Sequence, residues 1–286
     1  MNLENTVKKA SEKLKKNNIS SHSLDAQIIL ADIIGVKREH LITNNKTNIS
    51  KKIIKKYDEA IKRRIKNEPI AYITKKKEFW SENFFVNNST LVPRPETELL
   101  IYKVIDIFKN KRVNILDIGT GSGCILLSLL KELSNSRGLG IDISSRAIQI
   151  AKINSKNLNL INRAKFKNFE LDRYSGAGYD LIVSNPPYIP GKDIRKLTKD
   201  IINFEPREAL DGGLDGLDLI KKVIYKSNAL LKRNGVLALE IGFGQYRKVS
   251  KILKHYRFRE YNKIYDHGTN VRCIISTKID FFKIKR

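Results

Sequence analysis

Three short segments carry residue types at spacings that can do chemistry. The sharpest is Asn185-Pro186-Pro187-Tyr188, which follows the apolar run 179–183. The side-chain oxygen of Asn185 and the backbone carbonyl of Pro186 can both accept hydrogens from a planar NH2 group. The two prolines fix φ and remove competing N–H donors. Tyr188 offers a flat wall for a planar substrate. An amide or aromatic amine delocalises its nitrogen lone pair into its π-system and is a poor nucleophile. Holding its protons while aligning its nitrogen with an electrophile localises that pair for direct attack, and no covalent enzyme intermediate is needed. The predicted catalytic residues are therefore Asn185, Pro186 and Tyr188, with Pro187 completing the substrate-binding turn.

Upstream lies a second pattern. The apolar residues 113–116 run into Asp117-Ile118-Gly119-Thr120-Gly121-Ser122-Gly123, and 124–130 then reads as a helix. Glycines at alternate positions allow a tight turn and let a ligand lie against the backbone at a helix N-terminus. The third segment, 138–143, reads as a strand ending in Asp142, twenty-three positions after Gly119. In nucleotide-binding α/β folds an acidic side chain at about that distance accepts hydrogen bonds from ribose hydroxyls. The pair implies a ligand with an adenosine moiety. GxGxG spacing behind Asp117 favours S-adenosylmethionine over NAD, with Asp117 near the amino-acid end of that ligand.

An α/β scaffold is needed to bring these segments together. The first third of the chain reads as short amphipathic helices. Leu3, Val7, Ala10 and Leu14 recur at helical spacing, as do Leu24, Ile28, Ile29 and Ile33 before Gly35, and then Ile53, Ile54, Tyr57, Ala60, Ile61 and Ile65. The runs 79–80, 84–86 and 91–92 are β-prone and separated by polar residues, which predicts a hairpin-like connector closed by Pro93 and Pro95. Beyond Lys111 strands and helices alternate, the pattern of a mainly parallel sheet covered on both faces.

The chain has 286 residues, of which 41% are hydrophobic, enough for a real core. No run approaches the roughly 18 apolar residues of a membrane span, and the polar start lacks an apolar signal region. A cytoplasmic protein without membrane contact is expected. Cys124 and Cys273 cannot make a disulfide framework and show no CxxC spacing, so both are expected to be reduced. His22, His40, His255 and His267 share no spacing, and no metal is expected. The net charge of +25 would suit a nucleic acid, yet it is spread along the chain. Residues 1–68 carry twice as many basic as acidic side chains, and the remainder is also basic. Such diffuse enrichment reads as a solvated surface, and a nucleic-acid partner is not favoured.

The order of motifs along nearly the whole chain resembles the bacterial release factor glutamine methyltransferases, the PrmC/HemK family. The resemblance is carried by Asn185–Tyr188, the glycine turn 119–123, Glu68-Pro69-Ile70-Ala71-Tyr72-Ile73 and Leu91-Val92-Pro93-Arg94-Pro95-Glu96-Thr97-Glu98. Phe204-Glu205-Pro206-Arg207-Glu208-Ala209-Leu210, Leu239-Glu240-Ile241-Gly242 and Gln245 extend it.

It implies a helical release-factor-recognition domain over 1–76, a β-hairpin connector over 77–95, and a Rossmann-like seven-stranded methyltransferase domain over 96–286. It also implies methyl transfer from S-adenosylmethionine to the side-chain amide nitrogen of the glutamine in the Gly-Gly-Gln tripeptide of release factors, by a monomer. Asp117, Gly119, Thr120, Gly121, Ser122, Gly123 and Asp142 would hold the co-substrate, with Asn185 beside both ligands. The family's pair beside the adenine falls on Glu170 and Leu171, with Asp172 as a rival. Arg94 and Glu96 either border that pocket or pair with nearby charges. Glu205 and Arg207 either shape a substrate-side loop or fix a loop over the sheet. Two other functions remain compatible with the residues alone: methylation of adenine N6 or another nucleic-acid amino group, and non-catalytic binding of S-adenosylmethionine.

Overall fold

The structure, a computed structural model, describes residues 2–266 and 268–279; Met1, His267 and residues 280–286 lie outside it. Backbone contacts divide the chain into two compact units, Met1–Lys76 with Thr198–Phe204, and Lys77–Leu197 with Glu205–Arg286.

The first unit is helical. Helix α1 (Leu3–Lys16) starts where Asn2 accepts the N–H of Asn5, carries Glu4 in its first turn and ends in Lys13, Lys15 and Lys16, complementing the helix dipole at both ends. Helix α2 (His22–Ile34) stops at Gly35, whose left-handed backbone lets its N–H reach the carbonyls of Ala31 and Asp32. Short α3 (Arg38–Thr43) leads to α4 (Lys51–Ile65), capped by Ser50, and to α5 (Ile70–Thr74). Leu14, Ala26, Ile29, Leu30, Tyr57 and Ile61 form the core, with the Tyr57 hydroxyl donating to the Ala26 carbonyl at 2.8 Å. Leu24, expected on the buried face of α2, is 42% exposed, while Ala26, Leu30 and Ala31 are buried. Helix α2 is apolar on most sides, so its periodicity could not select the face that α1 and α4 cover. Asp25 is buried too, paired with Arg64 at 2.7 Å and accepting from Ser21.

In the second unit β1 (Lys76–Phe79) and β2 (Glu82–Phe85) pair as a hairpin. The third β-prone run, Leu91 and Val92, is not a strand. Val92 N–H is held instead by the Glu205 carboxylate at 3.2 Å. Helix α6 (Thr97–Phe108) leads into the alternating elements β3 (Asn114–Ile118), α7 (Cys124–Glu132), β4 (Arg137–Asp142), α8 (Ser145–Asn157), β5 (Ala164–Asn168) and β6 (Tyr179–Ser184). Then come α9 (Lys199–Phe204), which groups with the first unit, α10 (Asp218–Leu230), β7 (Leu231–Glu240), α11 (Tyr246–His255), β8 (Phe258–Tyr265) and β9 (Val271–Lys278).

Among the described residues these strands form one seven-stranded sheet in the order β5-β4-β3-β6-β7-β9-β8. The first five pair in parallel; β9 runs antiparallel to both β7 and β8. One face packs Leu116, Ile118, Ile182, Leu237 and Leu239 against Ile220, Val223 and Ile224 of α10 and Val249 and Leu253 of α11. Strand order reverses between β3 and β6, and at such a switch point the connections diverge and open a crevice beyond the carboxyl ends of the strands.

Candidate active site

Both motif turns lie at that crevice. Ile118 of β3 is in register with Ser184 of β6, whose hydroxyl donates to the Ile118 carbonyl at 2.8 Å. The residues that follow, the glycine turn on one strand and Asn185–Tyr188 on the other, therefore begin side by side.

The glycine turn is built around two carboxylates. Asp117 is fully buried; its Oδ2 accepts from Thr120 Oγ1 at 2.6 Å. Its Oδ1 meets no donor in hydrogen-bonding geometry, although the Leu126 N–H lies close enough to favour the charged form. Burial pushes the Asp117 carboxyl up to about 7, against the pull of Thr120. Asp142 accepts Gly121 N–H and Ser144 N–H, each at 2.9 Å, so the side chain expected to face a ribose also ties the glycine turn to the start of α8. Burial raises its carboxyl, and those two N–H groups oppose the shift.

Gly119 and Gly121 have φ of +71° and +55°, and no heavy atom stands within 4 Å of where a Cβ would be. Their backbones face open space that a side chain would fill. That cradle, the unpartnered Asp117 Oδ1 and the remaining lone pairs of Asp142 fit S-adenosylmethionine: exposed backbone along its length, an acceptor for its amino group, and an acceptor for its ribose. Buried Ser122 contributes its carbonyl, which accepts from Asn154 Nδ2 at 2.9 Å. Gly123 closes the turn against Leu127, Ala151 and Phe166, each 3.2 Å from a notional Cβ.

The region expected beside the adenine divides. Phe169 N–H donates to the Asp142 carbonyl at 2.9 Å, which keeps this edge next to Asp142. Glu170 follows at the start of a short 3-10 turn and pairs with Arg173 at 3.3 Å. The Leu171 side chain is in the core with Leu116, Ile118 and Ile141. Asp172, the rival, pairs with Lys222 of α10 at 2.7 Å.

In the other turn, Pro186 is buried and Asn185, Pro187 and Tyr188 are half-buried. Asn185 Nδ2 donates to Thr97 Oγ1 at 3.2 Å, and Thr97 Oγ1 donates to Glu240 Oε2 at 2.7 Å. Tyr188 donates its hydroxyl to Glu240 Oε1 at 3.3 Å, and burial raises its phenol. Gln245 staples three loops: its Oε1 accepts Gly242 N–H at 2.8 Å, and its Nε2 donates to the carbonyls of Tyr188 and Gly216 at 2.9 and 3.1 Å.

Thr97, Glu240 and Gln245 stood in family-like segments without an assigned role, and Asn154 carried no sequence signal. Arg94 pairs with Glu205 at 2.6 Å, and Arg207 pairs with Asp211 at 3.1 Å. Both free cysteines are pushed up by burial, Cys124 to about 12, the opposite of an activated thiol. Among the described residues no cluster of three His, Cys, Asp or Glu is placed to hold a metal, and no helix is long and apolar enough to cross a membrane.

The PrmC N-terminal domain family matches residues 5–74, and the methyltransferase small domain family matches 95–214. A release factor glutamine methyltransferase of Caulobacter vibrioides is 36% identical over 271 residues, covering 94% of each chain. One from Clostridium acetobutylicum is 36% identical over 282 residues, covering 97% of this chain and 99% of its own. Among solved structures, the hMettl16 catalytic domain in complex with MAT2A 3'UTR hairpin 1 superposes with a TM-score of 0.58 at 17% identity, over 84% of this chain and 85% of that one, a likeness of fold alone. Similarity at 36% identity over 94–97% of the chain spans both the helical unit and the seven-stranded sheet, and the chain belongs to the release factor glutamine methyltransferase family.

Proposed function

We propose that this protein transfers a methyl group from S-adenosylmethionine to the side-chain amide nitrogen of the glutamine in the Gly-Gly-Gln tripeptide of peptide-chain release factors. The observation that carries this reading is the setting of Asn185. Its NH2 is turned toward Thr97 at 3.2 Å, which leaves Oδ1 as an acceptor at the crevice where the glycine turn also opens. A substrate amide donating one hydrogen to Asn185 Oδ1 and the other to the Pro186 carbonyl would have its nitrogen lone pair drawn out of conjugation. When bound, S-adenosylmethionine supplies an electrophilic methyl group. The residues of this chain do the rest. Asn185 and Pro186 orient the nitrogen, the Tyr188 ring walls the amide plane, and Asp117, residues 119–123 and Asp142 hold the co-substrate, with Glu170 and Leu171 beside its adenine.

In the same reading residues 1–76 recognise the release factor, 77–95 connect, and 96–286 catalyse. The protein acts as a monomer in the cytoplasm, and its dispersed positive charge needs no nucleic-acid partner. The test is peptide mass spectrometry after mixing the protein, S-adenosylmethionine and a release factor, beside a Gly-Gly-Ala variant and adenine-bearing DNA and RNA. One added methyl group on the glutamine peptide alone is expected. Methylated nucleic acid with an untouched release factor would keep the chemistry and overturn the substrate. Binding without transfer to any of them would make the protein a non-catalytic binder.

A further inference from the structure

Asn185 is not oriented by its own turn. Its Nδ2 donates to Thr97 Oγ1, which itself donates to Glu240 Oε2. A threonine hydroxyl has one proton. With that proton given to Glu240, only lone pairs face Asn185, and the amide must present its NH2 to Thr97. The reversed amide would set oxygen against oxygen. The Thr97 hydroxyl is also free of the usual duty at a helix start: Glu96 is the N-cap of α6, and no side chain caps that end. The other oxygen of Glu240 accepts from Tyr188. A single buried carboxylate, 2% exposed, thus reaches both ends of the Asn185–Tyr188 turn.

We infer that Thr97 and Glu240 are positioning residues for methyl transfer: the Glu240 carboxylate sets the hydrogen-bond polarity of Thr97, hence the face that Asn185 presents to the substrate, while it anchors the Tyr188 wall. The inference rests on the glutamine-methylating reading of the site. Burying an ionisable side chain here costs stability that an apolar residue of similar size would not, so packing alone does not account for Glu240.

Protonation bears on the same device. Burial holds Glu240 up at about 7, with Thr97, Tyr188 and Arg272 favouring its charged form and Glu96 opposing it. Burial raises the thiols of Cys273 on β9 and Cys124 on α7, and the Glu240 charge adds to it in both. A proton on the carboxyl removes the charge that makes both oxygens obligate acceptors and lets Glu240 donate on one side, so the hold on the polarity of Thr97 and Asn185 weakens as pH falls through that value.

The experiment measures methylation of a release factor by the full chain, with wild type as control and co-substrate affinity measured by calorimetry. Thr97→Val, which keeps the shape and removes the hydroxyl, is expected to lower kcat about 100-fold. KM and co-substrate affinity should stay within about threefold, the pattern of a transition-state defect. Thr97→Ser restores the hydroxyl and should recover most of the loss. Glu240→Gln carries the one acceptor and one donor group of the protonated carboxyl and does not titrate. The wild-type kcat should fall between about pH 8 and about pH 6, whereas that of Glu240→Gln should stay near the wild-type acid value at both, without that limb. If Thr97→Val fails to fold, the Ser variant and the pH comparison decide. Wild-type kcat in Thr97→Val, a Ser variant as poor as Val, or the same acid limb in Glu240→Gln would overturn the proposal alone. A release factor left unmodified by wild type would overturn the substrate reading and the proposal with it.

Discussion

Replacing Asn185 by Ala removes the proposed acceptor for the substrate amide and leaves the glycine turn and Asp142 as they are. Transfer should fall at least about 100-fold with co-substrate affinity nearly unchanged. Asp142→Ala should do the reverse, because that carboxylate is the proposed ribose acceptor and also holds Gly121 N–H. Affinity for S-adenosylmethionine should drop about tenfold or more, equal to about 1.4 kcal/mol. Full affinity of the Asp142 variant by titration calorimetry would sink the ribose assignment.

Asp117 predicts a pH dependence of stability. Its carboxyl sits near 7 when folded against 3.8 when free, so between those values the folded chain keeps a proton that the unfolded chain releases. Stability from this group is therefore fully present below 3.8, is lost as pH rises toward 7, and levels off above. Without co-substrate, Asp117→Asn should gain in melting temperature relative to wild type from about pH 5 to about pH 7 and then stay constant. A gap that does not change with pH would contradict the assignment. The residues proposed to meet ligands were legible because each lies in a contiguous motif with its own chemistry. Those that orient them were not: Thr97 reaches Asn185 across 88 positions and Glu240 across 143, and no local pattern encodes such partners.

At the scale of elements, the hairpin and the glycine turn are joined by one side chain. Asn154 of α8 is fully buried; its Oδ1 accepts Phe85 N–H at 2.7 Å, and its Nδ2 donates to the carbonyls of Phe85 and Ser122 at 3.0 and 2.9 Å. Asn154→Ala strands those backbone groups in the interior and should cost about 2–4 kcal/mol in urea unfolding. Co-substrate affinity should weaken with it, since Ser122 belongs to the cradle; a loss of stability with affinity intact would confine Asn154 to the hairpin. The alternating strands and helices beyond Lys111 were readable from apolar periodicity, because parallel strands buried on both faces leave continuous apolar runs. The buried face of α2 and the ending of the hairpin were not. The first depends on which neighbours cover an all-round apolar helix, the second on a carboxylate 113 positions away that takes up the Val92 N–H.

For the whole molecule, the chain leaves the catalytic unit at Leu197, contributes Thr198–Phe204 to the helical unit, and returns at Glu205. The two segments of the helical unit should therefore behave as coupled parts. Exchanging residues 1–76 for those of the Caulobacter vibrioides relative should lower stability unless 198–204 is exchanged too, with a coupling of about 0.5–3 kcal/mol. Equal melting temperatures for the two chimeras would show the segments to be independent. The same threading imposes a schedule on synthesis. A chain emerging from the ribosome can settle its first domain early only if that domain is contiguous. Here the last piece of the helical unit is translated after β6 and Asn185–Tyr188, so the helical unit finishes its fold only once the turn proposed to carry out the chemistry has already been made.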